Sequence, residues 1–305
     1  MLNRFHFSGR RADVILDTDT YNEIDDQFAI AYALKNQDRL NIKGFTCAPF
    51  RKATRAKNIS EGMAKSYEEV KKILKLSGEE KFFDRICVGC EQFLSDEKTP
   101  VRSNAVDFLI ETSKKYSRSS PLYILATGAA TNIASAILSE PSIVDRICVV
   151  WLGGAALNWW HNDEYNMRQD VAAARVLIES AVQFVQIPAQ GVTSELLTTG
   201  IELEHWLKGK NDICDFLYEN SVAYMESRSK FKAWSKVIWD VVVPAFLLDE
   251  GGRFMTGRIE NRRLPNYGSP SYEKTPLQAE MFYVYQIHRD SLMNDLFEKL
   301  RGEQL

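Results

Sequence analysis

Soft metal ligands and reactive thiols are scarce in this chain. Histidine occurs four times and cysteine five times in 305 residues. The cysteines, Cys47, Cys87, Cys90, Cys148 and Cys214, are scattered and odd in number, which fits a reducing compartment rather than a disulfide framework. Cys87 and Cys90 form a C-x-x-C, but no second pair follows to complete a zinc site. Their segment, RICVGC, reads as a strand, not as the loop-to-helix entry that a redox pair prefers, so buried and inert thiols are expected. No segment approaches the roughly 18 consecutive apolar residues of a membrane helix. The opening MLNRFHFSGR lacks the apolar core of a secretory leader. A formal net charge of −3 gives no general attraction to nucleic acid or anionic lipid. The expectation is a cytoplasmic protein with neither kind of partner. Repeats, low-complexity tracts and linkers are also missing, so residues 1–305 read as one domain.

Apolar runs alternate with amphipathic stretches through the first two thirds. The strand candidates are DVILDT, NIKGFTCA, RICVGC, PLYILAT, RICVVWLGG and VQFVQIP. Between them lie helical patterns such as TRAKNISEGMAKSYEEVKKILKL, NAVDFLIETSKKY, ATNIASAILSE and QDVAAARVLIES. Strands without polar alternation, separated by helices, predict an α/β fold with a mainly parallel open sheet covered on both faces. Right-handed crossovers bring the C-terminal ends of those strands to one edge, where such sheets bind ligands. After residue 195 the pattern becomes mostly helical, then polar with Pro and Gly from about 251 to 276. A helix candidate, DSLMNDLFEKLRGEQL, closes the chain.

The first strand runs straight into VILDTDTYNEIDDQFAIAYAL, residues 14–34. Asp17, Asp19, Asp25 and Asp26 crowd the strand end, with Glu23 among them. Like charges this close raise each other's pKa or force the loop apart. Capping of the following helix accounts for one carboxylate, not for the set. No Lys or Arg lies within the segment, so local ion pairing is not expected. A hard cation with oxygen ligands is the better answer, and Ca²⁺ accepts about 6–8 of them.

The D-x-D at a strand end and the Asp-Asp opening a helix resemble the inosine–uridine-preferring nucleoside hydrolases. Three later segments match in the same order. ILATGAATNIASAI resembles the family's T-G-x-x-T-N-I-A. VVWLGGA followed by NWWHNDEYN resembles its G-G-A…N…E-F-N. IWDVVVPAFL resembles its late segment, where a metal-binding Asp opens a helix. The resemblance implies cleavage of the N-glycosidic bond of ribonucleosides by a calcium-activated water. Asp19, Asp26, Asp240 and the main-chain carbonyl of Thr127 would hold Ca²⁺, with Asp19 also acting as base. Asp25 would bond the ribose 2′-hydroxyl, and Asp17 would support the cluster. Asn158, Glu164 and Asn166 would hold the other sugar hydroxyls. A homodimer or homotetramer is implied as well.

Four departures bear on the substrate. The loop from Asp19 to Asp25 is two residues longer than D-P-G-x-D and lacks Pro-Gly. Trp239 precedes Asp240 where many members carry His, which resembles the purine-preferring branch and points to stacking on the leaving base. Pro49-Phe50 falls on the family's Gly-Asn, and Phe50 is a candidate for packing on the ligand. The stretch after VGCEQF is short and lacks the usual His- or Trp-bearing loop. His161 and Tyr21 are candidate acids, while His6, His205, His288, Trp206 and Trp234 read as structural. Two rival readings stand beside the hydrolase. One is a non-catalytic nucleoside- or sugar-binding protein of the same fold. The other takes VILDTDT as the D-x-D-x-T of a haloacid-dehalogenase-type phosphatase, with Asp17 as nucleophile and Asp19 as acid.

Overall fold

The computed structural model describes residues 11–275 and 279–302. His6 and the end of the C-terminal helix candidate, 303–305, lie outside them. The chain alternates strand and helix through β1 (Ala12–Thr18), α1 (Asp25–Lys35), β2 (Leu40–Cys47), α2 (Ile59–Leu76), β3 (Ile86–Cys87), α3 (Asn104–Ser113), β4 (Leu122–Ala126), α4 (Thr131–Ser139), β5 (Ile147–Leu152), α5 (Tyr165–Gln169), α6 (Val171–Glu179) and β6 (Gln183–Ile187). A more helical part follows: β7 (Leu197–Thr199), α7 (Gly200–Leu207), α8 (Asp212–Glu226), β8 (Ser235–Val237) and α9 (Val242–Leu248). The described chain ends with β9 (Met255–Asn261), β10 (Arg263–Pro265), β11 (Tyr272–Lys274), β12 (Glu280–Ile287) and α10 (Arg289–Arg301).

Eight strands form one sheet in the order β3-β2-β1-β4-β5-β6-β12-β9. Every neighbour pair is parallel except β12 with β9. Both faces are covered, as the unbroken apolar runs require. On β1, Val14 and Leu16 enter one core and Ile15 the other. Helix α1 is buried from Asp25 to Leu34, so after its acidic first turn it is apolar on every side rather than striped. Helix α2 is striped, and its N-cap Asn58 accepts a hydrogen bond from the Glu61 amide at 2.8 Å.

Two segments differ from expectation. The polar stretch after 251 contains β9, β10 and β11, and β9 is the antiparallel edge of the main sheet. An edge strand keeps one side in water, so its sequence MTGRIEN reads as polar. RICVGC yields only the two residues of β3. Its Gly89 crosses so close under β2 that a Cβ there would lie 1.9 Å from the Cys47 carbonyl oxygen. All five cysteines are free, and burial pushes the Cys87 and Cys90 thiols up to about 11.

Because β1, β4, β5 and β6 are adjacent and parallel, the residues that follow them emerge on one edge. Asp17 pairs in register with Thr46 on β2 and Ala126 on β4, so the start of the acidic loop lies at the middle of that edge.

Candidate active site

One cleft at this edge is lined by Asp19, Asn22, Glu23, Asp25, Asp26, Thr127, Glu164, Tyr165, Asn166, Gln190, Trp239 and Asp240, with Leu152 and Ala189 between them. Asp25 and Asp26 come from the first turn of α1. Asp240 comes from a single 3-10 turn, Trp239–Val241, that leads into α9. The carboxylates of Asp25, Asp26 and Asp240 lie within 4.8 Å of one another and can hold a metal ion. Asp19 is buried beside them, and its carboxyl comes within reach of that of Asp26.

Hydroxyls fix Asp26. Thr18 and Thr127 both donate to its Oδ1, the latter at 2.8 Å. The Thr127 carbonyl accepts from the Asn166 side-chain amide at 2.8 Å, which leaves its second lone pair available. Asp19 Oδ2 and Asp25 Oδ1 are buried without a hydrogen-bond partner. Burial and the neighbouring carboxylates push Asp19 and Asp240 well above the ordinary carboxylate range. Burial raises Asp25 to about 7 despite the charge of Lys236. Unpartnered, mutually repelling oxygens around a buried point are the donor set a hard cation requires, so the residues fit Ca²⁺ or Mg²⁺.

Ion pairing is the correction. Lysines far away in sequence reach the loop: Lys52 Nζ lies 2.6 Å from Glu23 Oε1, and Lys236 Nζ lies 2.8 Å from Glu23 Oε2. Lys236 also stands 3.8 Å from Asp25 Oδ1. Burial alone would raise Glu23, but these two charges outweigh it and hold the group at about 2. The longer loop is therefore pinned. The Tyr21 amide donates to Ser66 Oγ, and Arg55 donates to the Tyr21 carbonyl.

Asp17 lies behind the cleft and does not line it. Its Oδ1 accepts from Thr46 Oγ1 at 2.6 Å and from Asn132 Nδ2 at 2.8 Å. Its Oδ2 is buried and unpartnered, but the residue stands outside the cleft lining, which argues against Asp17 as the nucleophile of a phosphatase. Asn132, which sequence reasoning passed over, braces three strand ends. It also donates to the Cys47 carbonyl and accepts from the Cys90 amide. Asn132→Ala leaves these buried groups unmet and is expected to cost at least about 2 kcal/mol of stability, read as a lowered denaturant midpoint with unchanged slope.

Glu164 and Asn166 line the cleft. Glu164 caps α5, and its carboxylate accepts from the amides of Gly154, Asn166 and Met167 at 2.7–3.0 Å. Asn158 does not join them. It lies on an exposed turn outside the lining, and the ring of the next residue, Trp159, packs on Gly191. Phe50 is fully buried against Gly62 of α2 and is not available to a ligand. Neither candidate acid lines the cleft. The His161 ring accepts from the Asp163 amide and stands edge-on to Trp160, while the Tyr21 ring carries Arg55 and Lys65 over it. Tyr165, Gln190, Asn22 and Glu23 are the polar cleft residues to which sequence reasoning gave no role. Glu23 had a local signal as a member of the acidic run, and Tyr165 as the middle residue of E-Y-N.

Fold and cleft together define a cation-competent ligand site at the carboxyl edge of a parallel sheet. The chain belongs to the inosine-uridine preferring nucleoside hydrolase family, whose model matches residues 14–281. Among curated proteins it is similar to the pyrimidine-specific ribonucleoside hydrolase RihA of Salmonella schwarzengrund, 26% identical over 130 residues, which is 42% of this chain. The same enzyme of Salmonella typhimurium is 27% identical over an equal span. The match spans 41% of the length of these relatives. Among solved structures, the fold is shared with a plant nucleoside hydrolase, PpNRh1, at a TM-score of 0.76 and 17% identity, covering 95% of this chain and 99% of that one. It is shared as well with a purine-preferring ribonucleoside hydrolase of Gardnerella vaginalis, at a TM-score of 0.72 and 20% identity, covering 95% and 98%.

Proposed function

We propose that this protein is a calcium-dependent N-ribosyl hydrolase that splits ribonucleosides, purine nucleosides in preference, into ribose and free base. The observation that carries the reading is the convergence of Asp19, Asp25, Asp26 and Asp240 on one cleft, with buried carboxylate oxygens left unmet.

Asp19, Asp26, Asp240 and the Thr127 carbonyl would hold the cation, which when bound supplies acidity and orientation to a water. Asp19, with an unpartnered Oδ2, takes the proton from the attacking water. Asp25 accepts a hydrogen bond from a ribose hydroxyl through its Oδ1, which has Lys236 nearby but no hydrogen-bond partner. Glu164 and Asn166, which line the same cleft, would bound the sugar. As the bond to the base breaks, positive charge develops on the ribose, and a carboxylate-lined cleft favours that state. The base leaves against Trp239, which lines the cleft one residue before Asp240.

The relatives' names point two ways, to pyrimidine for RihA and to purine for the Gardnerella vaginalis enzyme, so the base preference rests on Trp239. Stacking on an aromatic is worth about 1–3 kcal/mol per base. Trp239→Ala is expected to lower kcat/KM on inosine roughly 5- to 150-fold, with a smaller loss on uridine. An equal loss on both would remove the purine assignment.

A reducing-sugar assay over a panel of ribonucleosides tests the reading. Ribose release from inosine or guanosine is expected. A second reading, ligand binding without turnover, is favoured by one observation: among the described residues, no histidine lines the cleft. It predicts saturable nucleoside binding with no sugar released. We propose further that residues 1–305 act as one domain, in a cytoplasmic homodimer or homotetramer. Sedimentation of the purified chain checks the oligomer.

A further inference from the structure

Two amide side chains in the cleft have no role in the chemistry above. Asn22 sits on the lengthened loop between Asp19 and Asp25 and is only 6% exposed. Asn22 lines the cleft, and its Oδ1 is buried without a hydrogen-bond partner. Gln190 follows β6 and lines the same cleft, and its Oε1 is likewise buried and unpartnered. Its Nε2 makes a long hydrogen bond to the Asp163 carbonyl at 3.5 Å.

Neither position is a loose surface loop. The Asn22 amide donates to the Asp19 carbonyl at 2.7 Å, closing a tight turn. Its neighbours are anchored on both sides, Tyr21 by Ser66 and Arg55, and Glu23 by Lys52 and Lys236. Ile24 is fully buried. The Gln190 carbonyl accepts from the Ala156 amide at 2.8 Å. Both acceptors are thus held in place with nothing to accept. A buried acceptor without a partner is costly unless a ligand supplies the donor.

We infer that Asn22 and Gln190 are specificity-determining residues that read hydrogen-bond donors on the bound riboside. This inference rests on the N-ribosyl hydrolase reading and deepens it. Asn158, which the family resemblance would put at the sugar, is on an exposed turn, and Phe50, which stands where the family has Gly-Asn, is buried under α2. The unmet amides of Asn22 and Gln190 supply polar recognition in their place. The required chemistry is an O–H of the sugar or an N–H of the base. A site built to bond such a group rejects the analogue lacking it far more strongly than an apolar pocket rejects a missing methylene.

The test compares kcat/KM for inosine with that for 5′-deoxyinosine, 3′-deoxyinosine and purine ribonucleoside. The first two lack a sugar hydroxyl, and the third lacks the base N–H. Each ratio is measured in the wild type, Asn22→Ala and Gln190→Ala. At least one ratio is expected to fall tenfold or more in a variant, and the arm in which it falls identifies the donor as sugar or base. Asn22→Ser keeps an oxygen acceptor and is expected to retain more of the ratio than Asn22→Ala, which a merely structural role for Asn22 would not produce. Ratios that change less than tenfold in every arm of both variants overturn the inference and leave the hydrolase reading standing. No ribose release by the wild type from any nucleoside removes the hydrolase reading, and this inference with it.

Discussion

Asp19→Asn is expected to lower ribose release by about 10²–10⁴-fold, the range for losing a positioned general base. The substitution is nearly isosteric, so the buried loop keeps its shape. It removes the charge that accepts the proton and one of the charges that face the cation. The Asp19 Oδ2 has no competing hydrogen bond to give up, so little else in the structure depends on it. Folding stability is expected to rise or hold, because burial and the carboxylates of Asp26 and Asp25 already disfavour ionised Asp19 when no cation is bound. Activity and melting temperature measured together check this. A loss of activity that tracks a loss of stability would contradict a catalytic role.

Lys236→Met carries the second large effect, and here stability is the readout. Lys236 is 8% exposed and stands between Glu23 and Asp25. Removing one partner of a fully buried pair costs about 3–5 kcal/mol. Glu23 keeps Lys52, and its side chain is 28% exposed, so about 2–3 kcal/mol is expected here. The sign with pH follows from Glu23. Its folded value is depressed from 4.5 to about 2, so the pairing stabilises fully above pH 4.5 and is lost as pH falls through 2. The difference between wild type and variant is therefore greatest near neutral pH and shrinks below 4.5. Urea unfolding at pH 7 and at pH 3.5 measures it, and a difference that grows on acidification would refute the pairing. The variant also releases the longer loop that carries Asn22, so kcat/KM is expected to fall as well.

Much of the sheet is legible in the residues. Strands β1, β4, β5 and β6 are largely buried on both faces and read as apolar runs, which places Asp19 and Thr127 on one edge from the sequence alone. The two strands beyond β6 are not legible in that way. Strand β9 is half exposed and alternates Arg and Glu with apolar residues, while β12, EMFYVYQI, carries the aromatic and β-branched enrichment that could have marked it.

The acidic cluster was legible because its members lie within ten residues of each other, and Asp240 was found through its motif. What the spacing could not show is long-range. Lys236 meets a glutamate more than two hundred positions earlier, and no local pattern records that contact. Asn158 had the right residue type and the right spacing, yet its turn is exposed and stands outside the cleft lining, with Trp159 beside it packed on Gly191. Asn132 was visible inside T-G-A-A-T-N, but its role depends on Cys47 and Cys90 arriving from other strands.

The most direct test of the account is removal and return of the cation. The purified protein is stripped with a chelator, its metal content is measured, and ribose release from inosine is followed before and after Ca²⁺ is added. The account predicts no release from the metal-free protein and recovery with Ca²⁺ at about one ion per chain. Undiminished release from demonstrably metal-free protein would contradict it.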